Sequence, residues 1–153
     1  MKTNSETNAK TGQVSTTAAE VYEEFFVPAL FAQWVGPTLD AVDAHRGDRL
    51  IDIGTGTGVV ARAALRRVGP TGSVTAVDPN EGMLAVAARL APGLDLRRGV
   101  AEQLPVVDGE MTCTTCQFAL MFVEDRARAI SEMARVTRPR GRVAVATWAA
   151  VEE

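Results

Sequence analysis

The residue types that could do chemistry concentrate in one stretch, Leu50-Ile51-Asp52-Ile53-Gly54-Thr55-Gly56-Thr57-Gly58-Val59-Val60. Glycines at 54, 56 and 58 allow a sharp backbone turn and leave no side chain where a ligand would lie against the main chain. Arg49–Ile53 reads as a short strand buried on both faces, and Val59–Val68 has helical spacing. A turn of this kind at the carboxyl end of a strand is where open α/β sheets hold nucleotide-like ligands. The spacing here is G-x-G-x-G, and a dinucleotide fingerprint would need glycine at the position of Val59. Asp52, two residues ahead of the first glycine, narrows the choice further. Its carboxylate repels a pyrophosphate on the same loop and attracts a ligand that carries positive charge. A second carboxylate, Asp78, closes the next strand pattern, Ser73–Val77, in the run Asp78-Pro79-Asn80. An acid there can accept hydrogen bonds from both ribose hydroxyls. Asn80 suits the N-cap of a helix over Glu81–Leu90, which frees Asp78 from that duty.

A nucleoside with a sulfonium, an ammonium and no phosphate satisfies both acids, and S-adenosyl-L-methionine is that compound. Asp52-Ile-Gly-Thr-Gly-Thr-Gly58 resembles the first motif of class I S-adenosylmethionine-dependent methyltransferases. From about Ala18 to Trp148 the chain is similar to the small-molecule type that includes the ubiquinone- and menaquinone-biosynthesis methyltransferases. The resemblance implies methyl transfer to a small-molecule acceptor. The segment from Val21-Tyr22 to Pro28-Ala29-Leu30-Phe31 is similar to the family segment whose tyrosine reaches the cofactor. Gly99-Val100-Ala101-Glu102-Gln103-Leu104-Pro105 is similar to the family's G-D-A-E-x-L-P, which cups the adenine, with Val100 standing in place of the aspartate. The expected cofactor contacts are therefore these. Asp52, Gly54, Thr55, Gly56 and Gly58 take the methionine end, and Asp78 with Pro79 takes the ribose. Met83, Ala101 and Glu102 take the adenine, and Tyr22, Gln117 and Phe118 shape the methyl-transfer face. No catalytic base can be named, and no cluster suggests a metal.

Length and composition set the frame. A chain of 153 residues with 46% hydrophobic and 23% charged residues fits one soluble domain. A net charge of −3 offers no footprint for nucleic acid, and no apolar stretch of the ~20 residues needed to span a membrane occurs. The N-terminus lacks the apolar core of a signal peptide, so a cytoplasmic location is expected. Residues 1–16, rich in Thr, Ser, Asn and Lys, read as a disordered tail, and 17–153 as the cofactor-binding domain. Cys113 and Cys116 form a C-x-x-C, but on one strand residues three apart face opposite sides. At ~3.3 Å per residue their Cα atoms stand ~10 Å apart, beyond disulfide reach. His45, the single histidine, sits in a polar turn ahead of the first strand.

The elements that must position the site follow from periodicity. Thr17 could cap a helix from Ala18 with Val21, Tyr22, Phe25 and Phe26 along it, interrupted by Pro28. Further helical pieces cover Ala29–Trp34 and Pro37–Ala44, and together these form an N-terminal helical lid. Leu94–Arg98 reads as a third strand and Met111–Cys116 as a fourth. A helix starts at Glu124/Asp125 with Ala127, Ile130, Met133, Ala134 and Val136 expected inward and Arg126, Arg128, Glu132 and Arg135 outward. Arg142–Trp148 reads as a fifth strand. Right-handed crossovers then predict an α/β fold: a Rossmann-like parallel sheet of order 3-2-1-4-5 with helices on both faces. Relatives carry further strands beyond the fifth, so 143–148 is expected to be an apolar edge covered by a homodimer mate or a partner chain. The rival to an active methyltransferase is a cofactor-binding subunit, or a fragment, that needs such a partner chain for activity.

Overall fold

Leu50, Ile51 and Ile53 point to both sides of their strand, so that strand is stable only where helices cover it above and below. In the computed structural model, which describes residues 13–149, it lies at the centre of a five-stranded parallel sheet. The strands are β1 (Arg49–Ile53), β2 (Ser73–Asp78), β3 (Asp95–Arg98), β4 (Met111–Gln117) and β5 (Thr137–Ala146). Their order is β3-β2-β1-β4-β5, as the crossover rule predicts, and every pairing is parallel. The register sets Asp52 beside Ala76 on one side and Thr115 on the other.

The helices are α1 (Thr16–Val21), α2 (Ala32–Ala41), α3 (Val59–Val68), α4 (Glu81–Leu90) and α5 (Arg126–Val136). They cover both faces of the sheet. On one face Leu50, Val74 and Cys113 pack with Val35, Leu39, Val60, Ala64 and Val68 of α2 and α3. On the other Ile51, Ile53, Val77 and Cys116 pack with Ala129, Met133 and Val136 of α5. The two cysteines therefore stand on opposite faces, both buried and free of any disulfide. His45 is exposed, its Nδ1 2.7 Å from the Asp43 carbonyl oxygen.

Several local details differ from the expectations above. The first helix begins earlier than Ala18: Ser15 is the N-cap, its hydroxyl accepting from the Ala18 N–H, and Thr17 lies inside the helix. Of the stretch expected as a tail, residues 1–12 lie outside the described residues, while Gln13 and Val14 are partly buried. The N-terminal helical pieces are also not separated at Pro28. A π-helical segment, Tyr22–Phe31, carries the chain from α1 into α2 with Pro28 inside it. The wider turn relieves the clash between a proline ring and the preceding carbonyl that would break an α-helix. On α5 the inward face is Ala129, Glu132, Met133 and Val136, whereas Ala127, Ile130 and Ala134 are exposed. Glu132 turns inward because polar backbone beneath it needs an acceptor, as described below.

Strand β5 also differs from its expected bounds. It pairs from Thr137, slips register between Met111 and Cys113 of β4, and resumes from Arg142 to Ala146. Pro139 falls within that irregular stretch, where an edge strand tolerates a missing N–H. Trp148 leaves the sheet and stacks on Phe118, with ring centroids 4.0 Å apart and planes 13° apart.

Candidate functional site

The loop after β1 turns as its glycines require. Gly54 has φ +67°, and a Cβ there would lie 2.3 Å from the Ala119 Cβ, so only glycine lets the two segments meet. Gly56 has φ +57°, yet a Cβ there would meet only Tyr22, at 4.0 Å. The space beside Gly56 is room for a ligand against bare backbone.

The loop's N–H groups are largely spent within the fold. Gly54 and Thr55 donate to the Val77 carbonyl, Gly58 donates to the Thr55 carbonyl, and Gly56 donates to the Asp78 carboxylate at 2.8 Å. A phosphate-binding loop would instead aim these donors at the ligand. Asp78 receives a second backbone donor, Asn80 N, on its other oxygen at 2.8 Å. Each oxygen keeps a lone pair for a further donor. Burial pushes the Asp78 carboxyl upward, and the Gly56 and Asn80 hydrogen bonds oppose that. Asn80 meanwhile caps α4 by accepting from Gly82 and Met83, as its position predicts.

Asp52 is more secluded. It is 2% exposed, and its two oxygens accept from the hydroxyls of Thr55 at 2.7 Å and Thr115 at 2.8 Å. Burial raises its carboxyl to about 6, with the two threonines pulling down and Asp78 adding to the rise. Among the described residues no cation offsets the charge.

A cleft of about 860 Å³ opens at the carboxyl ends of the strands. That volume suits a ligand of small-molecule or nucleoside size. Of the residues expected at the site, Tyr22, Gly54, Gly56, Asp78, Pro79, Met83, Ala101, Glu102, Gln117 and Phe118 all line it. Asp52 and Thr55 do not reach this cleft. They line a small adjoining hollow that shares Tyr22, Gly54 and Gln117 with it. Gly58 lines neither; it caps α3 in the left-handed region. Glu102 lines the cleft, while its carboxylate accepts from the Asp125 N–H at 3.3 Å. Gln117 bridges β4 to the N-terminal helices: its oxygen accepts from the Thr38 hydroxyl at 2.7 Å, and its amide donates to the Phe31 carbonyl at 3.2 Å.

One pair of lining residues and one aromatic neighbour of the cleft carry no site signal in the sequence. Gln13 donates to the Pro79 carbonyl at 3.2 Å and accepts from Glu81 N at 3.3 Å, and so closes one wall of the cleft together with Val14. Its polar surroundings read as tail, and only the chain's return over α4 reveals the contact. Trp148 completes an aromatic cluster with Phe31, Phe118 and, through Phe118, Trp34. Phe118 itself has φ +54°, a strained conformation for a non-glycine residue of the kind that gathers at functional sites. The Tyr22 hydroxyl is raised to about 12, by burial first and then by Asp78 and Glu23, so it remains a neutral donor.

Among the described residues lining the two hollows there is no lysine or arginine, while Asp52, Asp78, Glu102 and Glu124 are present. Such walls disfavour a diphosphate and suit a cationic adenosyl compound. The residues present therefore fit S-adenosyl-L-methionine in charge, in volume and in the bare backbone at Gly56.

A parallel sheet of this order, with a glycine turn after β1 and an acid at the end of β2, defines a Rossmann-like methyltransferase architecture. The chain belongs to the methyltransferase domain family, whose profile matches residues 51–145. S-adenosyl-L-methionine is the cofactor that membership implies. The chain is 39% identical over 115 residues to the demethylmenaquinone methyltransferase of Beutenbergia cavernae, covering 75% of this chain and 47% of that protein. It is 36% identical over 118 residues to the ubiquinone/menaquinone biosynthesis C-methyltransferase UbiE of Pseudomonas entomophila, covering 73% of this chain and 46% of that protein. The chain thus spans about half the length of these curated relatives. Its fold is similar to the crystal structure of a SAM-dependent methyltransferase from Aquifex aeolicus, with a TM-score of 0.76, 19% identity, and coverage of 92% of this chain and 77% of that one.

Proposed function

We propose that this chain transfers the methyl group of S-adenosyl-L-methionine to a small-molecule acceptor with a flat ring system, of the quinone type that the names of its curated relatives carry. The observation that carries this reading is an acidic cleft with no basic residue among its described lining, opening on a glycine loop whose N–H groups at 54, 55, 56 and 58 are already committed. When bound, the cofactor supplies an electrophilic methyl on a sulfonium centre.

The chain's own residues then bind, orient and exclude water, which is the main protein contribution when the donor is already activated. Asp78 takes the ribose hydroxyls on its remaining lone pairs, with Pro79 beside it. Met83, Ala101 and Glu102 frame the adenine. Gly54 and Gly56 admit the ligand against the backbone. Asp52, with Thr55, contributes its negative field to the sulfonium end from the adjoining hollow, and Gly58 holds the turn into α3. Tyr22, Gln117 and Phe118 form the face toward the acceptor. The aromatic rings of Phe31, Trp34 and Trp148 beside Phe118 suit a planar acceptor that stacks.

No helix among the described residues is long and apolar enough to cross a membrane, and the chain acts in the cytoplasm on this reading. The outer edge of β5, with Val143 and Val145 exposed, is covered by a second copy of the chain or by another polypeptide. Nucleic acid is not a partner, given the net charge of −3.

Isothermal calorimetry with S-adenosylhomocysteine tests the core of this. The wild-type chain is expected to bind, and Asp78→Ala to lose measurable binding while keeping a cooperative thermal transition. Absence of heat with the wild-type chain, or undiminished affinity in the variant, overturns the assignment. Incubation with labelled cofactor and a reduced naphthoquinone then tests transfer, with the methylated product read by mass spectrometry.

A further inference from the structure

The loop Gly99–Val106, which supplies the expected adenine contacts, has almost no backbone ladder of its own. Its internal hydrogen bonds are an isolated bridge between Val100 and Gln103 and short turns. Arg97 of β3 donates to the Pro105 carbonyl at 2.5 Å, and the other side-chain hydrogen bonds to the loop backbone among the described residues come from one face of α5. The Glu132 carboxylate, on a residue 6% exposed, accepts from Leu104 N at 2.8 Å. Arg135 is gripped by both oxygens of Glu132, through Nε and Nη2 at 2.7 Å each. The same guanidinium donates to the carbonyls of Leu104 at 3.1 Å and Val106 at 2.8 Å. One turn earlier Arg128 donates from Nε to the Glu102 carbonyl at 3.2 Å. Hydrogen bonds from one helix face therefore fix the backbone at 102, 104 and 106.

Packing alone does not require this. Leu104 and Val106 are already buried in the core and anchor the loop by their side chains. A buried ion pair is a poor source of stability, since well-packed apolar residues of similar volume commonly serve as well or better. What the pair adds is direction: a bidentate fork fixes position and angle, where an apolar contact permits sliding.

We infer that Glu132, Arg135 and Arg128 are positioning residues that set the backbone of Ala101 and Glu102 against the adenine edge and so determine base selectivity. This rests on the cofactor reading above. The three side chains touch no ligand; they act through the loop.

Two readouts test it. The first is the ratio of affinities for S-adenosylhomocysteine and S-inosylhomocysteine, in which a carbonyl replaces the 6-amino group. The wild type is expected to prefer the adenosyl compound, Glu132→Ala to reduce that preference at least tenfold, and Glu132→Gln, which keeps an acceptor for Leu104 N, to retain most of it. A variant that melts lower but keeps the wild-type ratio shows a purely structural role and overturns the inference, as does a wild type without preference. The second is hydrogen exchange without ligand: the amides of 101–104 and 106 are expected to exchange at least tenfold faster in Glu132→Ala and Arg128→Ala, with β1 and β4 unchanged. Unchanged exchange in both variants overturns the clamp. Arg128 is exposed, so its variant carries both readouts if Glu132→Ala fails to fold. If the wild type binds neither nucleoside, the function proposed above fails and base selectivity with it, while exchange still decides whether α5 holds the loop.

Discussion

Asp52 and Asp78 are both buried carboxylates at strand ends, yet their surroundings give them different work. Asp78 is tied by two backbone N–H groups and faces the cleft, which suits a ligand contact. Asp52 is held by two threonine hydroxyls with no cation near among the described residues, and burial pushes its carboxyl from an ordinary 3.8 up to about 6. The folded chain keeps this proton to higher pH than the unfolded chain, so the stability associated with Asp52 is fully present at low pH and declines as pH rises through that window. A neutral asparagine lacks the decline. Asp52→Asn is therefore expected to gain in melting temperature relative to wild type as pH rises from about 4 to about 7, and to weaken S-adenosylhomocysteine binding at pH 7. Thermal melts across that range check it; a difference that does not change with pH would refute the placement of the charge.

At the scale of elements, the N-terminal helical run is a cover held by few polar contacts. Glu23, on the π-helical segment, accepts from the Thr57 hydroxyl and from Arg62 Nη2, each at 2.6 Å, and so latches the segment onto the glycine loop and α3. Its neighbour Tyr22 lies over Gly56. Glu23→Ala leaves a buried hydroxyl and a half-buried guanidinium without this acceptor, a loss of about 1–3 kcal/mol. Proteolysis within Tyr22–Phe31 is expected to quicken, and affinity for S-adenosylhomocysteine to fall roughly tenfold, which is about 1.4 kcal/mol. Cleavage at the wild-type rate would show that the segment is held without Glu23, by its aromatic contacts and the Gln117 hydrogen bond to the Phe31 carbonyl. The aromatic contacts that leave the segment run through Phe31, which packs against Phe118 and Trp148.

For the molecule as a whole, the open question is the edge of β5. Val143 is 44% and Val145 40% exposed on a strand with pairing on one side among the described residues. Exposed apolar edges recruit other strands unless charge or proline blunts them. Light scattering of the wild-type chain is expected to show association, and Val145→Lys to yield a monomer with the same cleft affinity. A wild type that is monomeric at all concentrations would remove the second copy from the proposal.

The primary sequence by itself determined the sheet order, the five strands within one to five residues at their ends, and the glycine turn, because these depend on local periodicity and on chirality rules that act along the chain. It also marked ten of the cleft-lining residues, since strand ends and helix starts in an α/β fold converge on one side. Only the tertiary structure decided which acid lines the cleft: that Asp52 is sealed by Thr115 depends on the β1–β4 register, which pairs residues far apart in sequence. The inward turn of Glu132 and the part of Gln13 in the cleft wall were likewise settled by long-range partners, Leu104 N and Pro79 O, whose demand for a hydrogen bond outweighs hydrophobic patterning and tail-like composition.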